Sequence, residues 1–440
     1  MVGFGYLGAI LVLLVSVTLN ALVLAYHWPR TPAVRRALDR AQRRVTGRPD
    51  WNWLQLRHLL AVLLVLSASN IVWQVSTLHC GDDSLALLAS GRAALAGQNP
   101  FLISYCGHTT LDAIPYGLAA VSLNALAAVS GSVAGVWIVW QLLALAVVPL
   151  VWAVGGSQRR YLSVLAATSV LYLPNITTNI GVDNAIVPVS VLLMIYALTV
   201  GADRRGLLTG IAAFLSTARF PALFPLLGAS ATSGPARLRQ LALVMGVFLG
   251  AAIVGYALWG WDAIGIVYLG EFTRDSGPTL NLFAVFLQQG WFTPSLASAA
   301  IQGGVLLGLV IFVGLRRYSV RAACAIPLLG VMSLSQYLDF HFVLWVLPVI
   351  LLGAAVNSWL LVYGTVAALD TIVGVGYFGE TLGIWWPYEA FGVALSVVLL
   401  FLLILVIRGE ERRIRSGPPG SPDAATEVDA SRGSGESTAH

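Results

Sequence analysis

Two adjacent carboxylates, Asp82 and Asp83, follow Gly81 just after an apolar segment at residues 57–78. A carboxylate held beside a substrate hydroxyl group can take its proton as a general base. Gly81 permits a tight turn that would present Asp82, whereas Asp83 could equally cap a helix that starts near Ser84. We therefore predict that Asp82 or Asp83 is a catalytic base, with Asp82 preferred.

Three cationic candidates occur later in the chain. Arg219 precedes Phe220-Pro221 inside an apolar region. A charge is costly there and indicates a functional residue by default. The alternative is an Arg side chain that extends to the membrane interface. Arg274 stands between two acidic residues, so a surface ion pair is an equal alternative to ligand binding. His341 could contact an anion or tune a proton together with Asp339, or cap a helix end. We predict that all three contact an anionic group.

The chain has three cysteines, Cys80, Cys106 and Cys324. Cys80 and Cys106 lie in one segment that we predict to be outside the cytoplasm, where a disulfide can persist. A bond between them would close a loop of about 26 residues, worth about 3 kcal/mol in the chain-entropy model. His79 and His108 flank these cysteines and could complete a zinc site, but the oxidising location favours the disulfide. We predict no metal and no cofactor.

Composition places the chain among membrane proteins. Of its 440 residues 58% are hydrophobic and 10% are charged, and the mean hydropathy is +0.82. A soluble domain carries about a quarter charged residues. The net charge of +5 does not indicate nucleic-acid binding, because the arginines cluster in short loops between apolar segments.

Those arginine clusters predict the topology. The loop after a first span at 4–26 is rich in arginine, which predicts that this loop is cytoplasmic and that the N-terminus is outside. We predict an all-α polytopic protein with about 13 spans, within a range of about 11–14. The predicted spans are 4–26, 57–78, 134–154, 161–177, 185–201, 206–218, 219–233, 240–259, 295–315, 322–338, 342–357, 358–377 and 388–408. The apolar segment 113–131 is predicted to lie in the outer leaflet without crossing.

Three regions follow from this map. Residues 1–56 form an extra N-terminal span and an Arg-rich cytoplasmic loop. Residues 57–408 form the main membrane unit, whose outer loop at 79–133 contains helices that lie along the membrane. Residues 409–440 form a cytoplasmic tail that becomes low in complexity from about 416 and is predicted to be disordered.

The order of several short motifs within residues 57–408 carries a family resemblance. The motifs are Asp82-Asp83, Ala96-Gly97-Gln98-Asn99-Pro100-Phe101, Ile114-Pro115-Tyr116, Asn175 to Asn184, Ser216 to Pro221, and Tyr337-Leu338-Asp339-Phe340-His341. In this order the chain resembles the GT-C class of integral-membrane glycosyltransferases, which use polyprenyl-phosphate sugars. Within that class it is most similar to the alpha-mannosyltransferase-like family of bacteria and archaea, which elongates lipid-linked or cell-wall glycans.

The resemblance implies transfer of a hexose, with mannose favoured, from a polyprenyl-phosphate donor to a lipid-linked or cell-surface glycan. The reaction would invert the anomeric centre at the extracytoplasmic face of the cell membrane. Arg219, Arg274 and His341 would bind the donor phosphate, and the sugar or acceptor would contact Asn99, Tyr116, Asp183, Asn184 and Asp339. The chain departs from the family in its extra first span and in having Arg219 where Lys is frequent.

Other functions remain open at this point. A transporter or flippase would show repeated, broken helices in matching halves, and no convincing repeat is present. A glycan polymerase or ligase would carry a large late outer loop with Arg and His, whereas the loop at 260–294 has one Arg and no His. A non-catalytic subunit of glycan assembly would tolerate replacement of Asp82 by Asn.

Overall fold

The computed structural model describes residues 18, 22, 32–46, 55–76, 78, 83–110, 116–155, 166, 185–201, 203–269, 296–334, 345–346, 366 and 388–415. Its longer helices are α1 (Pro32–Thr46), α2 (Leu56–Ser76), α3 (Asp83–Leu95), α4 (Leu118–Ala128), α5 (Val133–Leu145), α6 (Val147–Gly155), α7 (Ile186–Thr199), α8 (Arg205–Ser216), α9 (Leu223–Ala231), α10 (Arg237–Trp259), α11 (Leu296–Arg316), α12 (Val320–Leu334) and α13 (Tyr388–Arg415). Strands β1 (Ser104–Tyr105) and β2 (His108–Thr109) form one antiparallel hairpin.

Four helical segments are long and apolar enough to cross a membrane: Leu56–Ser76, Val133–Gly155, Gly234–Trp259 and Val393–Arg415. Their outward faces are apolar, as in α2, where Trp73 is 64% exposed and Val65 is 67% exposed. Large apolar surfaces of this kind are not stable in water and indicate contact with lipid. The chain is therefore an all-α membrane protein.

Most predicted spans that fall on described residues coincide with helices. The predictions at 57–78, 240–259, 295–315 and 322–338 match α2, α10, α11 and α12 within a few residues, and 134–154 matches α5 and α6 together. The segment 113–131 contains α4, whose 11 residues rise only about 16 Å and cannot cross a hydrocarbon core of about 30 Å. Predicted spans 4–26, 161–177, 342–357 and 358–377 lie outside the described residues except at 18, 22, 166, 345–346 and 366, so the number of spans stays a prediction.

Several of the described helices pack closely through small residues. A Cβ atom added to Gly228 in α9 would lie 2.2 Å from the carbonyl oxygen of Ala323 in α12. A Cβ atom on Gly91 in α3 would lie 2.1 Å from the carbonyl oxygen of Asn124 in α4. Such contacts let helix backbones approach one another, which is how helices associate where lipid removes the hydrophobic driving force.

The region 206–233 is divided into two helices, as the sequence predicts. Helix α8 ends at Ser216, a 3₁₀ turn runs over Phe220–Ala222, and α9 begins at Leu223. Pro221 lies in the first positions of that turn. Backbone N–H groups at these positions have no acceptor within the helix, so the N–H that proline lacks costs no hydrogen bond. The helical path is therefore interrupted at residues 217–222.

A polar cluster joins the end of α13 to the turn between α11 and α12. Glu410, only 2% exposed, accepts hydrogen bonds from the Ser319 backbone N–H at 3.0 Å and the Ser319 hydroxyl at 2.9 Å, and pairs with Arg413. The Tyr318 hydroxyl donates to Glu411 at 2.7 Å. Because α13 continues through Arg415, the start of the predicted tail moves from 409 to 416.

Candidate functional site

Arg219 lies in the break between α8 and α9 and is only 5% exposed. Its guanidinium carbon lies 3.7 Å from the centre of the Tyr116 ring, and Nη2 donates a hydrogen bond to the Tyr116 hydroxyl. Tyr116 is itself 7% exposed. The aromatic face and the hydroxyl group together stabilise and orient a buried cation.

The two segments that carry this pair are joined through their backbones. The Gly117 N–H donates to the Ala218 carbonyl at 3.0 Å, and the Ala119 N–H donates to the Thr217 hydroxyl at 3.3 Å. The second bond satisfies one of the free N–H groups at the start of α4. A Cβ atom on Gly117 would lie 1.7 Å from the Thr217 carbonyl oxygen, so only glycine permits this approach.

The break lies beside the middle of α10. Phe220 packs against Phe248 with ring centres 5.9 Å apart, and Phe248 is halfway between Arg237 and Trp259, the first and last residues of α10. After α10 the chain turns back, which brings Tyr268 to 5.2 Å from Phe248. Arg219 and the break that carries it therefore lie level with the central part of α10.

Tyr268 completes the aromatic wall beside the break. Its ring lies 6.0 Å from the Phe220 ring, and burial raises the pKa of its hydroxyl to about 12. The neighbouring Val267 is fully buried and approaches Gly117. This return segment at residues 262–269 could not be assigned to the site from sequence, because only the tertiary fold brings it there.

Asp83 is the first residue of α3 and is exposed. A carboxylate in the first turn of a helix is favourable. The helix begins at Asp83 itself, one residue earlier than the start near Ser84 that the capping interpretation assumes, and the catalytic role of Asp83 stays a prediction. Helix α3 packs on α4, whose N-terminal end carries Tyr116 and Gly117. Asp82 lies outside the described residues, so its catalytic role stays a prediction.

Asn99 holds the loop after α3 in place. Its side-chain amide donates to the Asp262 carboxylate at 2.7 Å, and its side-chain oxygen accepts the Phe101 N–H at 3.0 Å. Thr110 is buried and ties the same loop by donating to the Pro100 carbonyl at 2.8 Å. These contacts give Asn99 a structural role, and its contact with sugar stays a prediction. Nothing local in the sequence indicates that Asp262 is its partner.

Cys106 is disulfide-bonded and lies at the tip of the β1–β2 hairpin. Cys106 and Gly107 both have positive φ, 47° and 82°, as a two-residue turn matched to strand twist requires. Cys324 is a free, buried thiol. Cys80 lies outside the described residues, so the Cys80–Cys106 pairing stays a prediction.

The remaining predicted site residues, Arg274, Asp183, Asn184, Asp339 and His341, also lie outside the described residues. In the part of the chain that the structure describes, no group of three His, Cys, Asp or Glu side chains is arranged to hold a metal ion.

Comparison with known protein families and with curated proteins finds no match to this chain. Function is therefore inferred from the residues themselves. What they bring together is a buried arginine, a tyrosine stacked on it and an aromatic wall.

Proposed function

We propose that the chain is an integral-membrane glycosyltransferase. It transfers a hexose, with mannose favoured, from a polyprenyl-phosphate donor to a lipid-linked or cell-surface glycan on the extracytoplasmic side. Donor and acceptor are the only partners that this proposal requires.

The observation that carries the proposal is the burial of Arg219 at a helix break. Non-helical backbone inside a membrane protein is tolerated where it is enclosed by protein or lines a cavity. An arginine there is costly unless it has a task, and its planar group of five N–H donors suits phosphate oxygens. Tyr116 stacks on the guanidinium and accepts one of its hydrogen bonds. A lipid phosphate would bring oxygens that a guanidinium can bind and an apolar chain that lipid-facing helices can accommodate.

The chemistry uses one proton transfer and one displacement. An aspartate, Asp82 or Asp83, takes the proton from an acceptor hydroxyl group, whose oxygen then attacks the anomeric carbon of the donor sugar. The bond between that carbon and the phosphate oxygen breaks, and the lipid phosphate leaves with the bonding electrons. Arg219 stabilises the negative charge that develops on the leaving phosphate. Direct displacement inverts the anomeric centre, and no covalent enzyme intermediate forms.

The test is sugar transfer in membranes supplied with labelled polyprenyl-phosphate mannose or polyprenyl-phosphate glucose. Removing a hydrogen-bond donor that stabilises the charge of the transition state typically lowers kcat about 10²–10³-fold. Arg219→Gln should therefore lose activity on this scale. Arg219→Lys should retain part of it. Loss of transfer in Asp82→Asn or in Asp83→Asn identifies the base.

Arg237→Gln is the matched control, because Arg237 is an exposed arginine at the start of α10. It should transfer sugar at the native rate. If the native protein transfers no hexose from either donor, the proposal fails. A lipid-flipping assay on the same membranes then tests the transporter or flippase alternative, and the remaining alternative is a non-catalytic assembly subunit.

A further inference from the structure

Helix α1 carries a dense cluster of positive charge. Its 15 residues contain Arg35, Arg36, Arg40, Arg43 and Arg44 against one acid, Asp39. Arg35, Arg36 and Arg40 are exposed, and the Arg40 side chain also donates to the Arg36 carbonyl at 3.3 Å. This charge has no part in the proposed sugar transfer.

The opposite face of α1 is apolar but small. Val34 and Leu38 are one turn apart and half-buried, and the helical period adds Ala37 and Ala41 to the same stripe. No aromatic residue is present in the helix. A stripe of this size anchors weakly in lipid by itself, whereas a basic amphipathic helix gains affinity from anionic headgroups.

The chain holds α1 close to the membrane. Only residues 47–55 separate its last residue from the start of α2, which is long and apolar enough to span. Fully extended, this connection reaches at most about 35 Å. The arginine-rich segment is also on the side that we predict to be cytoplasmic, where anionic lipids attract polybasic segments.

We propose that α1 lies on the membrane surface and binds anionic lipid headgroups. The apolar stripe of Val34, Ala37, Leu38 and Ala41 faces the lipid, and the arginines contact phosphate. The competing occupant is the acidic segment 416–440, which contains Asp423, Glu427, Asp429 and Glu436. We favour the membrane because the apolar stripe and the short connection to α2 both fit a lipid surface, and an acidic peptide would satisfy only the charge.

The experiment places a nitroxide label at Leu38→Cys in the full-length protein, reconstituted in nanodiscs. One set contains phosphatidylcholine only, and the other contains one third phosphatidylglycerol. Accessibility of the label to oxygen and to a water-soluble nickel complex reports whether position 38 is in lipid or in water. Ala33→Cys, at an exposed position, is the matched label site. Unsubstituted protein taken through labelling corrects for the native cysteines.

Position 38 should be shielded from nickel in the anionic nanodiscs and accessible in the neutral ones, while position 33 stays accessible in both. Replacing Arg35, Arg36 and Arg40 by Gln should shift the equilibrium between membrane-bound and free α1 roughly 100-fold towards the free state, at about fivefold per arginine. Replacing Arg237 and Arg239 by Gln should not shift it. The proposal is overturned if shielding is the same in both lipids, or if deleting residues 416–440 abolishes it.

Discussion

Replacing Gly117 by Ala tests how the Arg219 site is built. The new Cβ atom would lie 1.7 Å from the Thr217 carbonyl oxygen, whereas such contacts are essentially never under 3.0 Å. One segment must therefore move by at least 1.3 Å, the difference between these two distances. That movement breaks the Gly117–Ala218 and Ala119–Thr217 hydrogen bonds. Overpacking and two lost hydrogen bonds together should lower the free energy of unfolding by roughly 2–5 kcal/mol.

The same displacement should also slow sugar transfer by the molecules that remain folded, beyond the loss that unfolding alone would cause. A misplacement of about 1 Å can cost about 100-fold in rate, so residual folded protein should transfer sugar about 100-fold more slowly. The matched control is Gly210→Ala in α8, where an added Cβ atom meets nothing within 4 Å. Thermal unfolding in detergent and sugar transfer are measured on both variants. If Gly117→Ala behaves like Gly210→Ala in both assays, the described contact between the two segments is wrong.

Three further predictions concern the surroundings of the site and the opposite end of the helices. In a double-mutant cycle, Asn99→Ala and Asp262→Ala should show a coupling energy of about 1–3 kcal/mol, and simple additivity would exclude the hydrogen bond between them. Because burial raises the pKa of Tyr268 to about 12, the folded state keeps that proton while the unfolded state loses it near pH 10. Stability should therefore fall between about pH 10 and 12, and Tyr268→Phe should show a smaller fall by chemical denaturation. Glu410→Ala should lower stability by about 2–3 kcal/mol through lost hydrogen bonds to a charged group, whereas the exposed Arg415→Gln should change the melting temperature little.

The sequence predicts the elements whose causes are local. Long apolar runs predict α2, α10 and α11. The division of 206–233 into two helices is predicted because a single crossing would place Arg237 and Arg239 outside the cytoplasm. Apolar runs and the spacing of arginines are visible along the chain without the fold.

The contacts that build the candidate site are not visible in this way. Tyr116 and Arg219 are far apart in sequence, and nothing local to either indicates that one stacks on the other. Gly117 carries the only hint, since a glycine beside an aromatic residue allows a close backbone approach. The hydrogen bond of Asn99 to Asp262 is equally invisible, because it joins residues far apart in the chain, and the predicted contact of Asn99 with sugar stays a prediction.

The Glu410 cluster has a practical consequence for protein handling. A purification tag or fluorescent reporter fused directly after residue 408 would remove the carboxylates that hold Tyr318 and Ser319. A fusion point beyond Arg415 would leave this attachment intact. Shortened variants for crystallisation or imaging should therefore end after Arg415, where the helix has already made its last described contacts with the α11–α12 turn.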